Sequence, residues 1–141
     1  MFTDFAKNAI LNELTGQSGT AFDFNNMYLA LGTVSDGAFV ELTAGSCPGY
    51  TRKIIGSPSS PIVNCFGPAT SGAVVNTMDV TFARATADWT GVTITHGALF
   101  NALTGGSQIT LDALSSSLSG IVTNALVVLP AGNFTISFYS I

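Results

Sequence analysis

Charge is scarce in this sequence. Only 9% of its 141 residues are Asp, Glu, Lys or Arg, whereas about 25% is usual in soluble domains. The basic residues are Lys7, Arg52, Lys53 and Arg84, and no Lys or Arg follows position 84. So few scattered cations do not make the basic patch that binds phosphates, and they do not hold an anionic lipid surface. We therefore expect neither nucleic acid nor a membrane as a partner.

The sequence also has little that indicates export or a disulfide framework. No run reaches the roughly 18 apolar residues that a transmembrane helix needs. The opening residues, MFTDFAKNAI, carry Asp4 and Lys7 in place of the basic start and apolar centre of a secretory signal. Synthesis and folding in a cytoplasm is the simplest interpretation, and it predicts that Cys47 and Cys65 stay reduced. A disulfide between them is the alternative.

Residue types for catalysis are few. His96 is the single histidine, and it falls in a row with Val92 and Ile94, where a histidine more often completes a core than activates a nucleophile. Asp88 and Trp89 suggest a sugar-binding or glycan-cleaving site, but an Asp before a strand more often hydrogen-bonds within its own turn. We expect a protein that is not an enzyme and that holds no cofactor and no metal.

The surface that this composition implies is neutral and polar. Hydrophobic residues make up 47% of the chain, and no Asp, Glu, Lys or Arg follows Asp112. Charged side chains normally protect exposed strands from association with one another. We infer that copies of the chain, or another protein, cover much of this surface in the working state.

A short amphipathic helix is predicted in residues 1–16. Apolar residues recur there at steps of three and four, namely at Phe2, Phe5, Ala6, Ala9, Ile10 and Leu14. Thr3 or Asp4 can cap the first turn and Gly16 can end the last, so the helix should span about residues 4 to 15. We expect its apolar face to pack on the chain's own domain, with docking on a neighbouring subunit as the alternative.

The remainder, residues 17–141, is predicted to form a single, mainly β domain. Short segments of alternating apolar and polar residues are separated by turns about ten residues apart, which is typical of an antiparallel β-sandwich or jelly roll. Residues 27–31 form a predicted buried strand, residues 32–37 the turn after it, and residues 104–107, with two glycines, a hairpin turn. The Ser-rich residues 112–119 are ambiguous.

Five segments, taken in order, match a known family across nearly the whole chain. They are FTDFAKN at the start, YLAL from Tyr28, GYTR from Gly49, ATADWTGVTITHGALFNALTGG from Ala85, and LPAG with FTI from Leu129. These segments resemble a family of small virion proteins of tailed bacteriophages, often labelled tail fibre or structural protein. The family brings no catalytic residues with it.

The resemblance implies a structural protein of the virion, assembled in the cytoplasm of the bacterial host. Our leading hypothesis is a capsid decoration, or cement, protein that acts as a homotrimer on the major capsid protein. The alternative is a tail, baseplate or tail-fibre component with a role in assembly or host contact. The side chains that we expect at interfaces are Phe2, Phe5, Ile10, Tyr50, Trp89 and Tyr139.

Overall fold

The chain folds into antiparallel strands and a short helix. The computed structural model describes residues 1–16, 26–57, 60–61 and 65–138. In chain order the elements are α1 (Asp4–Thr15), β1 (Met27–Ser35), β2 (Ala38–Glu41), β3 (Lys53–Ser57), β4 (Ser60–Pro61), β5 (Ala73–Val75), β6 (Val80–Arg84), β7 (Thr93–Phe100), β8 (Gln108–Ser119), β9 (Leu126–Leu129) and β10 (Thr135–Ser137). The predicted fold class is confirmed. The predicted boundary at residue 17 lies outside the described residues.

Helix α1 has the bounds that its sequence predicts. The Thr3 hydroxyl accepts a hydrogen bond from the Ala6 amide at 3.3 Å, and Gly16 follows the last turn with φ +65°, as in a glycine-terminated helix. Ala6 and Ala9 are buried, and the helix packs against β8. No helix among the described residues is long and apolar enough to cross a membrane.

The hairpin after the first strand is tighter than its sequence suggests. Strand β1 continues to Ser35, so the predicted turn over residues 32–37 was wrong in extent. The connection to β2 is Asp36 and Gly37 alone, both with positive φ, as in the two-residue turns that match strand twist. Gly32 lies inside β1 and is not a turn residue. A Cβ at this position would overlap the main chain of β2, so the close approach of the two strands requires glycine.

The six-stranded sheet has the order β4-β3-β1-β7-β8, with β2 also paired to β1. Residues 1–3 run beside the first half of β8, where the amides of Leu111 and Thr3 donate to the carbonyls of Met1 and Ile109 at 2.9 Å. The Ser-rich segment that the sequence left ambiguous is the second half of β8. The N-terminus therefore covers part of the outer edge of the sheet.

A break in the pairing of β7 with β8 links the sheet to the rest of the protein. Ile94 pairs with Leu118, but His96 pairs with Ala113, so several β8 residues have no partner on β7. Ser115 instead donates its amide to the carbonyl of Asn133 at 2.9 Å. This turns β8 towards β10, which pairs with β5 in a second, two-stranded sheet.

The core lies between the main sheet and the two small sheets, β5–β10 and β6–β9. Its largest fully buried hydrophobic side chains are Leu29, Leu31, Val80, Ile94, Val127, Leu129 and Phe134. The ring of Phe134 covers Gly97 so closely that a Cβ at that glycine would lie 2.8 Å from the ring. This face-to-face packing of alternating strands is that of a β-sandwich.

Candidate functional site

The residues expected at interfaces lie in different environments. Phe5, on α1, is 37% exposed, and Ile10 is half-buried. Phe2 stacks on Phe138 with ring centroids 4.5 Å apart, beside an apolar hollow of about 100 Å³. Tyr139 lies outside the described residues, and the interface role of the whole set stays a prediction.

Trp89 is part of the core. Its side chain is only 2% exposed, and its indole N–H donates to the carbonyl of Pro48 at 3.0 Å. Tyr50 packs against it edge to face, with ring centroids 6.3 Å apart. A buried indole offers no free face for a sugar to stack on, so Trp89 serves here as a large aromatic anchor of the core.

Tyr50 belongs to a hydrogen-bonded cluster that the sequence did not reveal. Its hydroxyl accepts from the amide of Leu31 and donates to the Glu41 carboxylate, both at 3.0 Å. Arg52 holds the same carboxylate with two nitrogens, at 2.8 and 2.7 Å. Burial is the main cause that raises the pKa of Tyr50 above its ordinary value. The hydroxyl therefore remains protonated at any physiological pH.

Arg52 also holds the connection between β7 and β8. One of its terminal nitrogens donates to the carbonyls of Ala102 and Gly105, at 2.6 and 2.8 Å. Its guanidinium lies 3.7 Å from the ring centre of Phe100, a favourable cation–π distance. Because the described partners of Arg52 are all groups of the protein itself, we assign this cluster to the stability of the loop and not to ligand binding. We name it the Arg52 clamp, comprising Glu41, Tyr50 and Arg52.

The remaining groups with possible chemistry lie apart from one another. Nδ1 of His96 is 2.8 Å from the hydroxyl of its neighbour Thr95. Cys47 and Cys65 are free and buried, and burial raises the pKa of both thiols. Among the described residues, no group of three or more His, Cys, Asp or Glu side chains is placed to hold a metal ion.

An open groove lies between the loops at one end of β7 and β8. We call it the loop groove; it is formed by residues 88–93 and 119–122 and has a volume of about 320 Å³. One oxygen of Asp88 accepts hydrogen bonds from the amide and the hydroxyl of Thr123, at 2.7 and 2.8 Å. These bonds are the main cause that lowers the pKa of Asp88. In the described part of the chain, the side-chain hydrogen bonds of Asp88 thus run to the opposite loop and not, as the sequence predicted, within its own turn.

Helix α1 carries apolar side chains that the fold does not bury. Leu11 is 56% exposed and Leu14 is 77% exposed, and residues three apart on a helix are neighbours on its surface. On the other flank, Phe5 lines a shallow hollow with Asn8 and Asn12. Leu14 belongs to the apolar face that the sequence predicts for the helix, whereas Leu11 falls outside that pattern.

Residues 1–137 match the family model described as podophage GP4 fiber I protein gp80. The chain belongs to this Gp80 family. The match spans the helix and nearly all of the β region, so the resemblance drawn from the sequence segments is confirmed. No curated protein matches the chain. Membership in the Gp80 family supports a structural role in the phage virion of the tail-fibre kind, which was the alternative hypothesis, and gives no support to capsid decoration.

Proposed function

We propose that this chain is a non-enzymatic structural subunit of a podophage tail fibre. The observation that carries the proposal is the match of residues 1–137 to a fibre-protein family. The protein contributes a rigid β-sandwich whose surface contacts neighbouring fibre or tail proteins. It folds and assembles in the host cytoplasm, an environment that suits two free, buried cysteines.

The position of the protein on the virion is the direct test of this proposal. Cryo-electron microscopy, or labelling of virions with antibodies against the purified protein, should place it on fibres at the tail. An even distribution over the head would contradict the fibre proposal and favour the decoration hypothesis. The absence of the protein from purified virions would contradict both.

Contacts between copies of the chain are the mechanism that we propose for assembly. Leu11 and Leu14 form an exposed apolar pair on α1. Lys7 and Asp4 of the helix pair with each other at 3.4 Å, and Glu13 is its remaining charged residue in the sequence. Burying a leucine side chain contributes about 1.5–3 kcal/mol. A helix that associates through this pair therefore gains affinity from each copy.

Light scattering coupled to size-exclusion chromatography tests self-association. We expect the purified protein to form a multimer, and the homotrimer expected from the sequence stays a prediction. Leu11→Ser with Leu14→Ser should weaken association by at least about tenfold. Leu103→Ser is the matched control, because Leu103 is 49% exposed on the loop between β7 and β8, away from the helix in sequence. A wild-type protein that stays monomeric at high concentration would contradict self-association.

A further inference from the structure

The loop groove combines a fixed acceptor with several unused hydroxyl groups. Asp88 uses only one of its carboxylate oxygens in the hydrogen bonds to Thr123. The side chains of Thr90, Thr93 and Ser119 are exposed, and their hydroxyls have no hydrogen-bond partner within the described part of the chain. The groove therefore presents groups that both donate and accept hydrogen bonds, beside an oxygen that only accepts.

We propose that the loop groove binds a neutral saccharide. Its volume of about 320 Å³ reaches the range of small-ligand sites, about 300–1,000 Å³. The free oxygen of Asp88 suits a sugar hydroxyl as donor, and the threonine and serine hydroxyls suit the remaining polar positions of the ring. Val92, Ile121 and Val122 supply the apolar wall against which the C–H face of a sugar packs.

The charge of the groove favours a neutral ligand over an acidic one. Among the described residues, Asp88 is the only ionisable side chain that lines it, and the hydrogen bonds from Thr123 favour its charged form. Arg84, at the end of β6, donates to the carbonyl of Asn124 at 2.8 Å and does not line the groove. A uronic acid or a phosphate would therefore meet a negative charge, and the described lining of the groove holds no cation to balance it.

The walls of the groove are held in place before any ligand arrives. The amide of Trp89 donates to the carbonyl of Ile121 at 2.9 Å, and its indole is anchored in the core. Thr93 pairs with Ser119 at the last rung of the β7–β8 ladder. A site built on such fixed backbone avoids part of the ordering cost of binding.

Backbone amide NMR on the full chain tests this proposal. D-galactose, L-rhamnose and N-acetyl-D-glucosamine are titrated separately to millimolar concentrations, and D-glucuronate serves as the anionic probe. We expect at least one neutral sugar to shift the amide signals of Gly91, Ser119 and Gly120, with a weaker response to glucuronate. No response to any neutral sugar, shifts confined to other parts of the protein, or equal binding of glucuronate would overturn the proposal.

Three variants separate binding at the groove from effects on folding. Asp88→Asn keeps an oxygen for Thr123 but loses the charge, so it should weaken sugar binding by about tenfold. Ser119→Leu should block the groove without touching the Thr123 bonds. Asp79→Asn is the matched control, since Asp79 is also exposed and accepts one turn amide, that of Ala131, at 2.9 Å.

Unchanged sugar affinity in either groove variant, with a melting temperature like that of the wild type, would also overturn the proposal. This inference goes beyond the fibre role, and the two fail separately. If the protein lies on the fibres of virions but binds none of the sugars, only the saccharide proposal is contradicted. If the protein binds a sugar through Asp88 but lies on the head, only the fibre proposal is contradicted.

Discussion

Removing Arg52 should destabilise the protein far more than the loss of an ordinary surface ion pair. The Arg52 side chain is 6% exposed, and that of its partner Glu41 is 26% exposed. In Arg52→Met, the carboxylate of Glu41 stays partly buried and keeps only the hydroxyl of Tyr50 among its hydrogen-bond partners in the described part of the chain. Breaking a buried ion pair from one side costs about 3–5 kcal/mol. Because Glu41 retains some access to water, we expect about 3 kcal/mol.

The carbonyls of Ala102 and Gly105, which lose their hydrogen bonds from Arg52, account for little of the expected loss of stability. Gly105 is exposed and Ala102 is half-buried, so water can replace the guanidinium at both carbonyls once the arginine is gone. Loss of the cation–π contact between the guanidinium and the Phe100 ring adds a smaller cost of about 0.5–2 kcal/mol. The charge left on Glu41 is therefore the main term in the free energy of unfolding.

Urea denaturation of Arg52→Met, Glu41→Leu and the double variant measures this term. Each single variant should lower the free energy of unfolding, Arg52→Met by about 3 kcal/mol. The double variant should recover most of the Arg52→Met loss, because an apolar pair of similar volume replaces a buried ion pair at little cost. A loss below about 1 kcal/mol in Arg52→Met, the range of exposed ion pairs, would refute the reasoning. So would a double variant that shows only the sum of the two single losses.

Two further predictions concern a glycine and a buried carboxyl. Gly97→Ala should lower the free energy of unfolding by about 1–3 kcal/mol through overpacking, because the new Cβ would lie 2.8 Å from the buried Phe134 ring; Gly45→Ala, which has space for a Cβ, should change it little in the same urea assay. Burial is the main cause that raises the pKa of Asp112 above its ordinary value, so the folded state binds this proton more tightly than the unfolded one. Its contribution to stability should therefore increase as the pH falls through the folded pKa towards 3.8. Thermal melts of Asp112→Asn should lack this increase, and an identical pH profile in both proteins would contradict it.

Local sequence signals predicted the helix and the general alternation of the strands. The Thr3 cap and the Gly16 stop act within one or two turns of chain, so α1 begins and ends where the sequence indicates. The two glycines of the predicted hairpin turn both have positive φ, as expected. The family segments likewise lie along the chain and need no knowledge of packing to be recognised.

The sequence did not predict whether the side chains of Tyr50 and Trp89 face the core or the solvent. Tyr50 and Trp89 belong to segments with many turn residues, where no alternation shows which side of the chain meets the core. Both rings face inward because distant backbone groups, the amide of Leu31 and the carbonyl of Pro48, satisfy their polar atoms. Only the folded chain brings those partners within reach. The loop groove likewise forms only when two segments that are distant in sequence come together.

The sequence by itself determined the mainly β class, the bounds of the first helix, the charge-poor surface and the family. The tertiary structure alone decided the strand formed by the Ser-rich segment. That segment lacks an alternating apolar face. Its two ends pair with β7, and between them the amides of Ser115 and Ser116 donate to Asn133, near the far end of the chain. The structure also decided the environment of each acidic side chain. Glu41 pairs with a buried arginine, whereas Asp88 keeps one carboxylate oxygen free at the loop groove. Local periodicity reports what a segment prefers, but a hydrogen-bond partner far along the chain is supplied only by the fold.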